Sequence, residues 1–273
     1  MASVGAAIEL QEVALHYGAF VAVEGIGFTV PPGQFLALVG PTGCGKSSVL
    51  NLVAGLLSPT AGRVLSGGEP VAGVNRAAAY MFQADALLPW KTAIDNVLLG
   101  PVLRGTPRSQ AADEARGWLA RVGLAGFEAR YPHQLSGGQR KRVAMAQALI
   151  NRLPILLMDE PFAALDVQTR ALMEEELLGL WRELGATVLF VTHDLEEAVA
   201  VSDRVLLFTA GPRATIKGDY AVPLPRPRSV VEARFMPGFN DVYQRVWIDL
   251  RDEVMASYRM QGRTSSPLPE PPS

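Results

Sequence analysis

Continuous runs of apolar and β-branched residues recur along the chain at strand length. The clearest are Phe35–Val39, Ile155–Met158, Thr187–Val191 and Val205–Phe208. A run that is apolar at every position, such as Phe35–Val39, is typical of a strand buried on both faces, as in a parallel sheet. We therefore expect these segments to form a mainly parallel core.

The start of the chain has a different pattern, in which shorter runs are broken by glycine and proline. Ile8–Leu10, Val13–Leu15 and Gly27–Val30 are predicted to be short strands of an antiparallel sheet. Arg63–Leu65 and Ala78–Phe82 are predicted to be further strands. An antiparallel β segment is thus expected to precede the parallel core.

Apolar positions at helical spacing predict the helices. The predicted helices are Lys46–Leu56, Ala111–Val122, Gly137–Ile150, Thr169–Leu184, Asp194–Val201 with Asp194 as its N-cap, and Phe239–Tyr258. Strands that alternate with helices and are interrupted by a helical stretch indicate an α/β protein. We expect a main domain over residues 1–217, with a helical part inserted at about residues 91–150. Residues 218–273 are expected to form a connector rich in proline and arginine (218–235), a C-terminal helix and a disordered tail (Ser265–Ser273).

Composition excludes several classes of protein. The chain has 273 residues, a net charge of −2 and a single cysteine. This charge gives no basic surface for nucleic acid, and one cysteine forms neither an internal disulfide nor a cysteine-based metal cluster. No apolar run approaches the ~18–20 residues of a membrane span, and Met1–Ala7 lacks the features of a signal peptide. We therefore expect a cytoplasmic protein with no nucleic-acid partner.

A glycine-rich loop follows the first buried run and precedes a predicted helix. It comprises Gly40, Pro41, Thr42, Gly43, Cys44, Gly45, Lys46 and Ser47, with Ser48 next in the chain. Glycines in this setting let backbone amides approach a β-phosphate, while lysine reaches the β- and γ-phosphate oxygens and serine binds Mg²⁺. The order of strand, loop and helix is the context that a phosphate-binding loop requires. We interpret Cys44 as a small residue that fits the turn, in preference to a catalytic thiol.

Two further segments carry candidate chemistry. The first is a second cluster of amide donors at a predicted helix start, suited to an anion: Leu135, Ser136, Gly137, Gly138 and Gln139. In the second, Asp159 and Glu160 follow an apolar strand, at the edge where ligands bind in open α/β sheets. Asp159 is the candidate Mg²⁺ ligand, directly or through water, and Glu160 the candidate base for the water that attacks the γ-phosphate. The alternative is an ordinary acidic strand end.

Taken in order, these motifs resemble those of the ATP-binding subunits of ATP-binding-cassette transporters, over about residues 8–215. The resemblance implies further roles: Tyr17 stacks on adenine, Gln83 senses Mg²⁺ and water, Asp166 belongs to the D-loop Ala164–Asp166, and His193 contacts the γ-phosphate. Ordinary packing roles are the alternatives for Tyr17 and His193. The implied fold is an α/β P-loop NTPase (RecA-like) core with an N-terminal antiparallel β subdomain and an inserted α-helical subdomain.

The resemblance also implies ligands and a partner copy. ATP and Mg²⁺ are the implied ligands, with Ser47, Gln83 and Asp159 as metal ligands. The implied catalytic residues are Lys46, Gln83, Glu160 and His193. In the family, ATP lies between the phosphate loop of one subunit and the Leu-Ser-Gly-Gly-Gln loop of another, so we expect an ATP-dependent homodimer. We also expect bulky thiol reagents at Cys44 to block hydrolysis unless bound ATP protects.

Within the family, the chain is similar to importers of the nitrate, sulfonate and taurine group. The similarity lies in Leu87–Trp90, Tyr131–Gln134 and Leu250–Val254. It implies a peripheral subunit on the cytoplasmic face of a bacterial inner membrane. Implied partners are integral-membrane permease subunits and, indirectly, a periplasmic or extracellular solute-binding protein. Leu87–Trp90 is a candidate permease dock, with core packing as the alternative.

Two positions depart from the family pattern, and two other functions stay open. Gln147 stands where arginine is common and Ala164 where serine is frequent, so we expect tuned rather than lost activity. One alternative is a soluble cassette ATPase acting on ribosomes or DNA, which a second cassette, a long coiled-coil insertion or a basic charge would favour. The other is a non-hydrolysing interaction protein, which would lack Glu160 or His193. The chain has none of these features.

Overall fold

The computed structural model describes residues 5–84, 86–163 and 165–260. The predicted disordered tail and the first four residues of the N-terminus lie outside this range. The chain divides into two compact units. One combines Gly5–Arg76 with the chain from Thr187 onward, and the other is formed by Ala77–Ala186.

The first unit opens with an antiparallel sheet whose described strands have the order β2-β1-β4-β5. They are β1 (Ile8–Tyr17), β2 (Phe20–Val30), β4 (Ala61–Ser66) and β5 (Glu69–Pro70). The predicted antiparallel start is confirmed, but its short runs are parts of two long strands. The reason is that bulges shift the β1–β2 register, so pairing continues beyond the polar residues Gln11 and Glu12.

The same unit holds strands in the order β10-β9-β3-β8. β3 (Phe35–Val39) runs parallel to its neighbours β8 (Thr187–Val191) and β9 (Arg204–Phe208), whereas β10 (Ile216–Ala221) is antiparallel to β9. Every residue of β3 and β8 is buried, which confirms the parallel core predicted from continuous apolar runs. The helices of this unit are α1 (Lys46–Val53), α7 (Leu195–Val201), α8 (Val230–Ala233) and α9 (Phe239–Met260).

The second unit combines parallel strands with helices. β6 (Ala78–Met81) pairs with β7 (Ile155–Asp159), and Met81 lies opposite Met158. Between these strands lie α2 (Ala93–Val97), α3 (Leu99–Leu103), α4 (Arg108–Arg121), a 3-10 turn at Pro132–Gln134 and α5 (Gly137–Leu149), and α6 (Val167–Leu184) follows β7. The segment between β6 and β7 is therefore helical, as predicted. In the described part of the chain, no helix is both long enough and apolar enough to cross a bilayer.

Residues 218–235, which we expected to be a connector, include the end of β10 and helix α8. Arg228 in this segment is 4% exposed and donates to the carbonyl oxygens of Ala200, at 2.8 Å, and Ser202. Burial lowers the pKa of Arg228 to about 10, so the guanidinium keeps its charge at neutral pH. Composition predicted a connector because arginine is usually exposed, whereas this arginine supplies donors to carbonyls at the end of α7.

Gly62 lies where the bulged strand β1 approaches β4 so closely that no side chain fits. Its φ is +75°, and an added Cβ would lie 2.3 Å from the carbonyl oxygen of Glu12. Gly68, in the β4–β5 turn, has a similar φ of +86° but open space around that position. We predict that Gly62→Ala lowers the free energy of unfolding by about 3 kcal/mol and Gly68→Ala by about 1 kcal/mol in chemical denaturation. Equal losses in the two variants would contradict a steric role for Gly62.

Candidate functional site

The glycine-rich loop joins the buried strand β3 to helix α1. Gly40, Gly43 and Gly45 have φ angles of 150°, 80° and 96°, a region that residues with side chains rarely adopt. An added Cβ at Gly45 would lie 2.5 Å from Cγ1 of Val23, whereas Gly43 faces open space. The loop is therefore fixed by packing on one side and exposes its backbone on the other.

The start of α1 offers hydrogen-bond donors to an anion. Gly45 is the N-cap of α1, and no side chain caps the first-turn amides. Thr42 and Ser47 are exposed beside them, and Ser48 is half-buried. Uncapped amides and the helix dipole favour a phosphate at this position.

Lys46 is held inside the loop by the loop's own backbone. The residue is 7% exposed, and its Nζ donates to the carbonyl oxygens of Gly40 and Pro41 at 2.8 and 2.9 Å. These bonds fix the ammonium group within the loop. An incoming phosphate would therefore meet a preorganised positive charge, to which charge-assisted hydrogen bonds form strongly.

The thiol of Cys44 is fully buried beneath the loop. Its Sγ lies 3.5 Å from Nζ of Lys46, and the residue is 0% exposed. Burial raises the pKa of the thiol above its usual value, although the neighbouring Lys46 acts in the opposite direction. The burial of the thiol argues against the expectation that bulky thiol reagents reach Cys44 in the folded protein, whereas its interpretation as a small residue that fits the turn agrees with the packing.

His193 and the first part of the loop face one cavity of about 420 Å³. Gly40, Pro41 and Thr42 line this cavity together with His193. Because β3 and β8 are parallel neighbours, the residues that follow them meet at the same edge of the sheet. The structure thus brings the loop and His193 together in one unit.

Helix α9 forms another wall of this cavity, which we did not predict from the sequence. The lining residues of α9 are Leu250, Val254, Ser257 and Tyr258. Helical periodicity predicted the helix but carries no information about the surface that the helix covers. The similarity of Leu250–Val254 to one importer group was the only signal available for this segment.

Glu197, which is 5% exposed, fixes the turn that carries His193 through hydrogen bonds to the residues on either side of it. Oγ1 of Thr192 donates to the Glu197 carboxylate and accepts from the amide of Asp194 at 3.0 Å. The amide of Glu197 donates to the carboxylate of Asp194 at 3.1 Å, which confirms Asp194 as the N-cap of α7. These bonds hold the backbone on both sides of the histidine.

Tyr17 lies at the end of β1 and is 50% exposed. A half-exposed aromatic ring offers a face on which a planar base stacks. The stacking role of Tyr17 stays a prediction.

In the second unit, Gln83 and Glu160 meet at the carboxyl ends of β6 and β7. Nε2 of Gln83 donates to Oε2 of Glu160 at 2.9 Å. The pairing of Met81 with Met158 explains this contact, because residues that follow paired parallel strands lie at one edge. Glu160 has a φ of 44°, and strained backbone of this kind at a non-glycine residue clusters at functional sites.

Asp159, the last residue of β7, is 8% exposed. Tyr80 on the neighbouring strand hydrogen-bonds to its carboxylate, and burial and this carboxylate raise the pKa of the phenol. The phenol is therefore protonated at neutral pH and donates to Asp159. Hydrogen bonds of this kind orient carboxylates that bind metals, and no sequence pattern predicted this role of Tyr80.

Ser136 opens α5 through a capping box with Gln139. Oγ of Ser136 accepts from the amide of Gln139 at 3.2 Å, and Oε1 of Gln139 accepts from the amide of Ser136 at 2.9 Å. Gly137 and Gly138 are the first helical residues, and Gly137 is exposed together with Ser136. Further along α5, the buried Lys141 donates to the carbonyl oxygen of Gln83.

Asp166 is the N-cap of α6. Its carboxylate accepts from the amide of Thr169 at 3.0 Å, and this bond lowers the pKa of Asp166. Ala164, one of the departures from the family pattern, lies outside the described residues. Gln147, the other departure, is half-buried on α5, where its carbonyl oxygen accepts from Nδ2 of Asn151 at 2.7 Å.

The segment Leu87–Trp90 is held in place by Asn96, which is fully buried. The amide of Leu88 donates to Oδ1 of Asn96 at 2.7 Å, and Nδ2 of Asn96 donates to the carbonyl of Lys91 at 3.1 Å. Trp90 is 71% exposed, which excludes the alternative that it is a core residue. A fixed loop thus presents an aromatic ring to solvent.

Comparison with known proteins places these features in a family. A family model described as ABC transporter matches residues 23–163. The aliphatic sulfonates import ATP-binding protein SsuB of Escherichia coli (strain K12) is 46% identical over 258 residues, which are 94% of this chain and 97% of that protein. An uncharacterized ABC transporter ATP-binding protein of Methanocaldococcus jannaschii is 42% identical over 238 residues, 87% of each chain.

Solved structures give the same result for the fold. A dimeric ATP-binding cassette in a post-hydrolysis state, bound to ADP and Pi, is similar with a TM-score of 0.70 and 30% identity. The alignment covers 80% of this chain and 100% of the solved chain. A second dimeric structure, of a bacterial ABC transporter cassette, has a TM-score of 0.73 at 30% identity and the same coverage. The predicted α/β P-loop NTPase fold is confirmed.

We predict that the single thiol, Cys44, reacts at least about 10²-fold more slowly in the native protein than in guanidinium-unfolded protein, because burial and a raised pKa limit access and thiolate formation. The measurement is the rate of release of the coloured thiolate from a disulfide reagent at pH 8. ATP should change the native rate little, since the protein itself already shields the thiol. A native rate equal to the unfolded rate would show that Cys44 is accessible.

Proposed function

The chain belongs to the ABC transporter family, and we propose that it is the ATP-hydrolysing subunit of an importer for small solutes of the nitrate, sulfonate and taurine type, with aliphatic sulfonates as the favoured class. The favoured class rests on the 46% identity to the aliphatic sulfonates import protein over 94% of the chain. The hydrolytic part rests on one observation, the Gln83–Glu160 hydrogen bond of 2.9 Å at the carboxyl ends of β6 and β7.

We assign nucleotide binding to the glycine-rich loop. Lys46 exchanges its bonds to the Gly40 and Pro41 carbonyls for bonds to the β- and γ-phosphate oxygens, and the loop amides bind the β-phosphate. Tyr17 stacks on the adenine. The residues assigned to nucleotide binding here are Tyr17, Gly40, Pro41, Thr42, Gly43, Cys44, Gly45, Lys46, Ser47, Ser48 and Asp166.

We assign the general base to Glu160. Its carboxylate accepts the proton of the attacking water, and Gln83 orients both the carboxylate and the water. His193 donates to the γ-phosphate from the rigid turn after β8 and stabilises the charge that develops there. The exposed position of His193 beside the first residues of the phosphate loop supports this role.

The residues assigned to metal binding fit Mg²⁺. Among the described residues, no group of three histidines, cysteines or carboxylates forms a metal site by itself. Mg²⁺ needs no such group, because one or two carboxylates, phosphate oxygens and water complete its shell. Ser47, Gln83 and Asp159 supply oxygen donors of the preferred kind, and the hydrogen bond from Tyr80 orients Asp159. When bound, Mg²⁺ offsets phosphate charge.

We propose that ATP joins two copies of the chain. The second copy contributes the exposed start of its helix α5, through Ser136, Gly137, Gly138 and Gln139, to the γ-phosphate. Both cassette structures similar to this chain are dimeric, which supports the proposal. Each copy alone then has an incomplete phosphate shell.

We propose that the subunit is peripheral on the cytoplasmic face of a bacterial inner membrane, bound to integral-membrane permease subunits and, through them, to a periplasmic or extracellular solute-binding protein. Support comes from the second unit. Trp90 and Leu103 are 71% and 77% exposed, and Leu103 lines a groove of about 310 Å³ with Phe82 and Leu99. A groove with apolar side chains on its wall suits a permease helix.

We predict that Glu160→Gln slows ATP hydrolysis by about 10²–10³-fold but keeps ATP binding, because glutamine still accepts from Gln83 but cannot take a proton. The variant should accumulate an ATP-dependent dimer, measured by size-exclusion chromatography with light scattering. Lys46→Ala is the matched control, which should hydrolyse slowly without forming that dimer. Wild-type turnover in Glu160→Gln would exclude Glu160 as the base.

We also predict that the tagged chain, purified from its native host, brings down an integral membrane protein and no RNA or DNA. The purified complex in lipid vesicles, with its solute-binding protein, should hydrolyse ATP faster when an aliphatic sulfonate is added than when nitrate is added. Co-purification of ribosomal RNA or DNA would favour a soluble cassette ATPase. Stimulation by nitrate alone would contradict aliphatic sulfonates as the transported class and favour nitrate.

A further inference from the structure

Helix α9 carries one apolar stripe, of which the first half is buried in the core and the second half is not. Phe239, Val242 and Val246 in its first half are buried. At the same helical spacing, the stripe continues through Leu250 and Val254, which face the cavity beside the phosphate loop. The second half of α9 therefore faces that loop across an open space instead of a packed core.

A carboxylate on the adjacent face of α9 ties the helix to the segment after β9. Oε2 of Glu253 accepts from the backbone amide of Ala210 at 2.7 Å, and its Oε1 pairs with Nζ of Lys217 at 2.8 Å. The Glu253 side chain is 15% exposed and that of Lys217 is 26% exposed, so the carboxylate is shielded while the ion pair stays in reach of solvent. The phenol of Tyr220 donates to Asp249 one turn earlier.

The same segment packs directly on the phosphate loop. An added Cβ at Gly211 would lie 3.2 Å from the carbonyl oxygen of Gly43 and 3.5 Å from Cα of Cys44. Ala210 and Gly211 are consecutive, so one peptide unit separates the amide that Glu253 binds from the contact with the loop. Ala210 and Gly211 thus connect α9 to the backbone of the phosphate loop.

On its other side the segment is bound to β2. The amide of Arg213 donates to the carbonyl of Val21 at 2.9 Å, and the amide of Ala214 donates to the carbonyl of Ala22 at 3.2 Å. The next residue of β2, Val23, lies under Gly45 of the phosphate loop. Without Glu253, the segment would keep the β2 bonds and lose the hydrogen bond that ties the Ala210 amide to α9.

We propose that Glu253 is a positioning residue for ATP binding, which fixes the phosphate-loop amides by holding Ala210 and Gly211 against Gly43 and Cys44. Helix α9 in this way supports the nucleotide site. This role offers a physical reason for the similarity of Leu250–Val254 to the importer group. The proposal needs ATP binding by the phosphate loop but does not depend on the transported solute.

The expected effect of losing Glu253 is on affinity and not on chemistry. Glu253 is separated from the loop by Ala210 and Gly211, and its two hydrogen bonds described above go to Ala210 and Lys217 and not to a group assigned to hydrolysis. A residue that shapes the binding loop changes ground-state and transition-state binding alike, which raises KM and leaves kcat unchanged.

Three variants test the proposal. Glu253→Ala should weaken ATP and ADP binding about tenfold in calorimetry, the scale of one lost hydrogen bond to a charged group, and raise KM equally with kcat within about twofold. Glu253→Gln keeps an acceptor for the Ala210 amide and should restore binding to within about twofold of wild type. Lys217→Met, the matched control, removes only the ion pair and should bind nucleotide as wild type does.

Two further measurements separate positioning from general stability. Gly211→Ala inserts a methyl group against the Gly43 carbonyl from the same side and should also weaken nucleotide binding. Hydrogen exchange of the Gly43 and Cys44 amides should be faster in Glu253→Ala and unchanged in Lys217→Met. A lower melting temperature of Glu253→Ala with unchanged nucleotide affinity and loop exchange would overturn the proposal, as would failure of Glu253→Gln to restore binding. These binding and exchange tests are decisive even if the chain hydrolyses nothing.

Discussion

Close backbone packing around the phosphate loop is the constraint on which the first unit depends. An added Cβ at Gly45 would meet Val23, one at Gly40 would meet Phe208, and one at Gly211 would meet the carbonyl oxygen of Gly43. A loop whose amides must serve a ligand cannot use them in a hydrogen-bonded ladder. Its shape therefore comes from neighbours that press on it from outside. Inside the loop, Lys46 donates to the Gly40 and Pro41 carbonyls, and the Cys44 amide donates to the Pro41 carbonyl at 3.3 Å.

Parallel strand pairing decides which polar side chains meet. The register of β6 with β7 brings Gln83 to Glu160, and the pairing of β3 with β8 brings the phosphate loop to His193. Both contacts occur at the carboxyl ends of strands, where backbone pairing between the strands ends and the chain turns. Glu160 adopts a φ of 44° at such a turn, and its bond to Gln83 helps to keep it there. One rule of sheet geometry thus explains two parts of the proposed catalytic machinery.

The capping box of α5 occupies the amides of Ser136 and Gln139 but leaves other donors of the helix start for a ligand. Oγ of Ser136 accepts from the Gln139 amide, yet its own proton stays available to an anion. The amide of Gly137 lies outside the capping box. A helix start is thus folded and stable before a nucleotide arrives, as the proposed contribution from a second copy requires. Tyr80 has a related role, since its phenol donates to the carboxylate of Asp159 and orients it before a metal arrives.

The sequence by itself determined the buried strands of the parallel core, the longer helices and the order of the chemical motifs. Five apolar positions in a row predicted β3, and Asp194 predicted the start of α7. Burial on both faces of a strand and capping of a helix each depend on a few neighbouring residues, so a local pattern reveals them. The tertiary structure alone decided that Cys44 lies beneath the loop, that Arg228 orders a proline-rich segment, and that α9 lines the cavity beside His193. These features depend on contacts between residues far apart in the chain, and local periodicity reports only that a face is apolar, not which surface it covers.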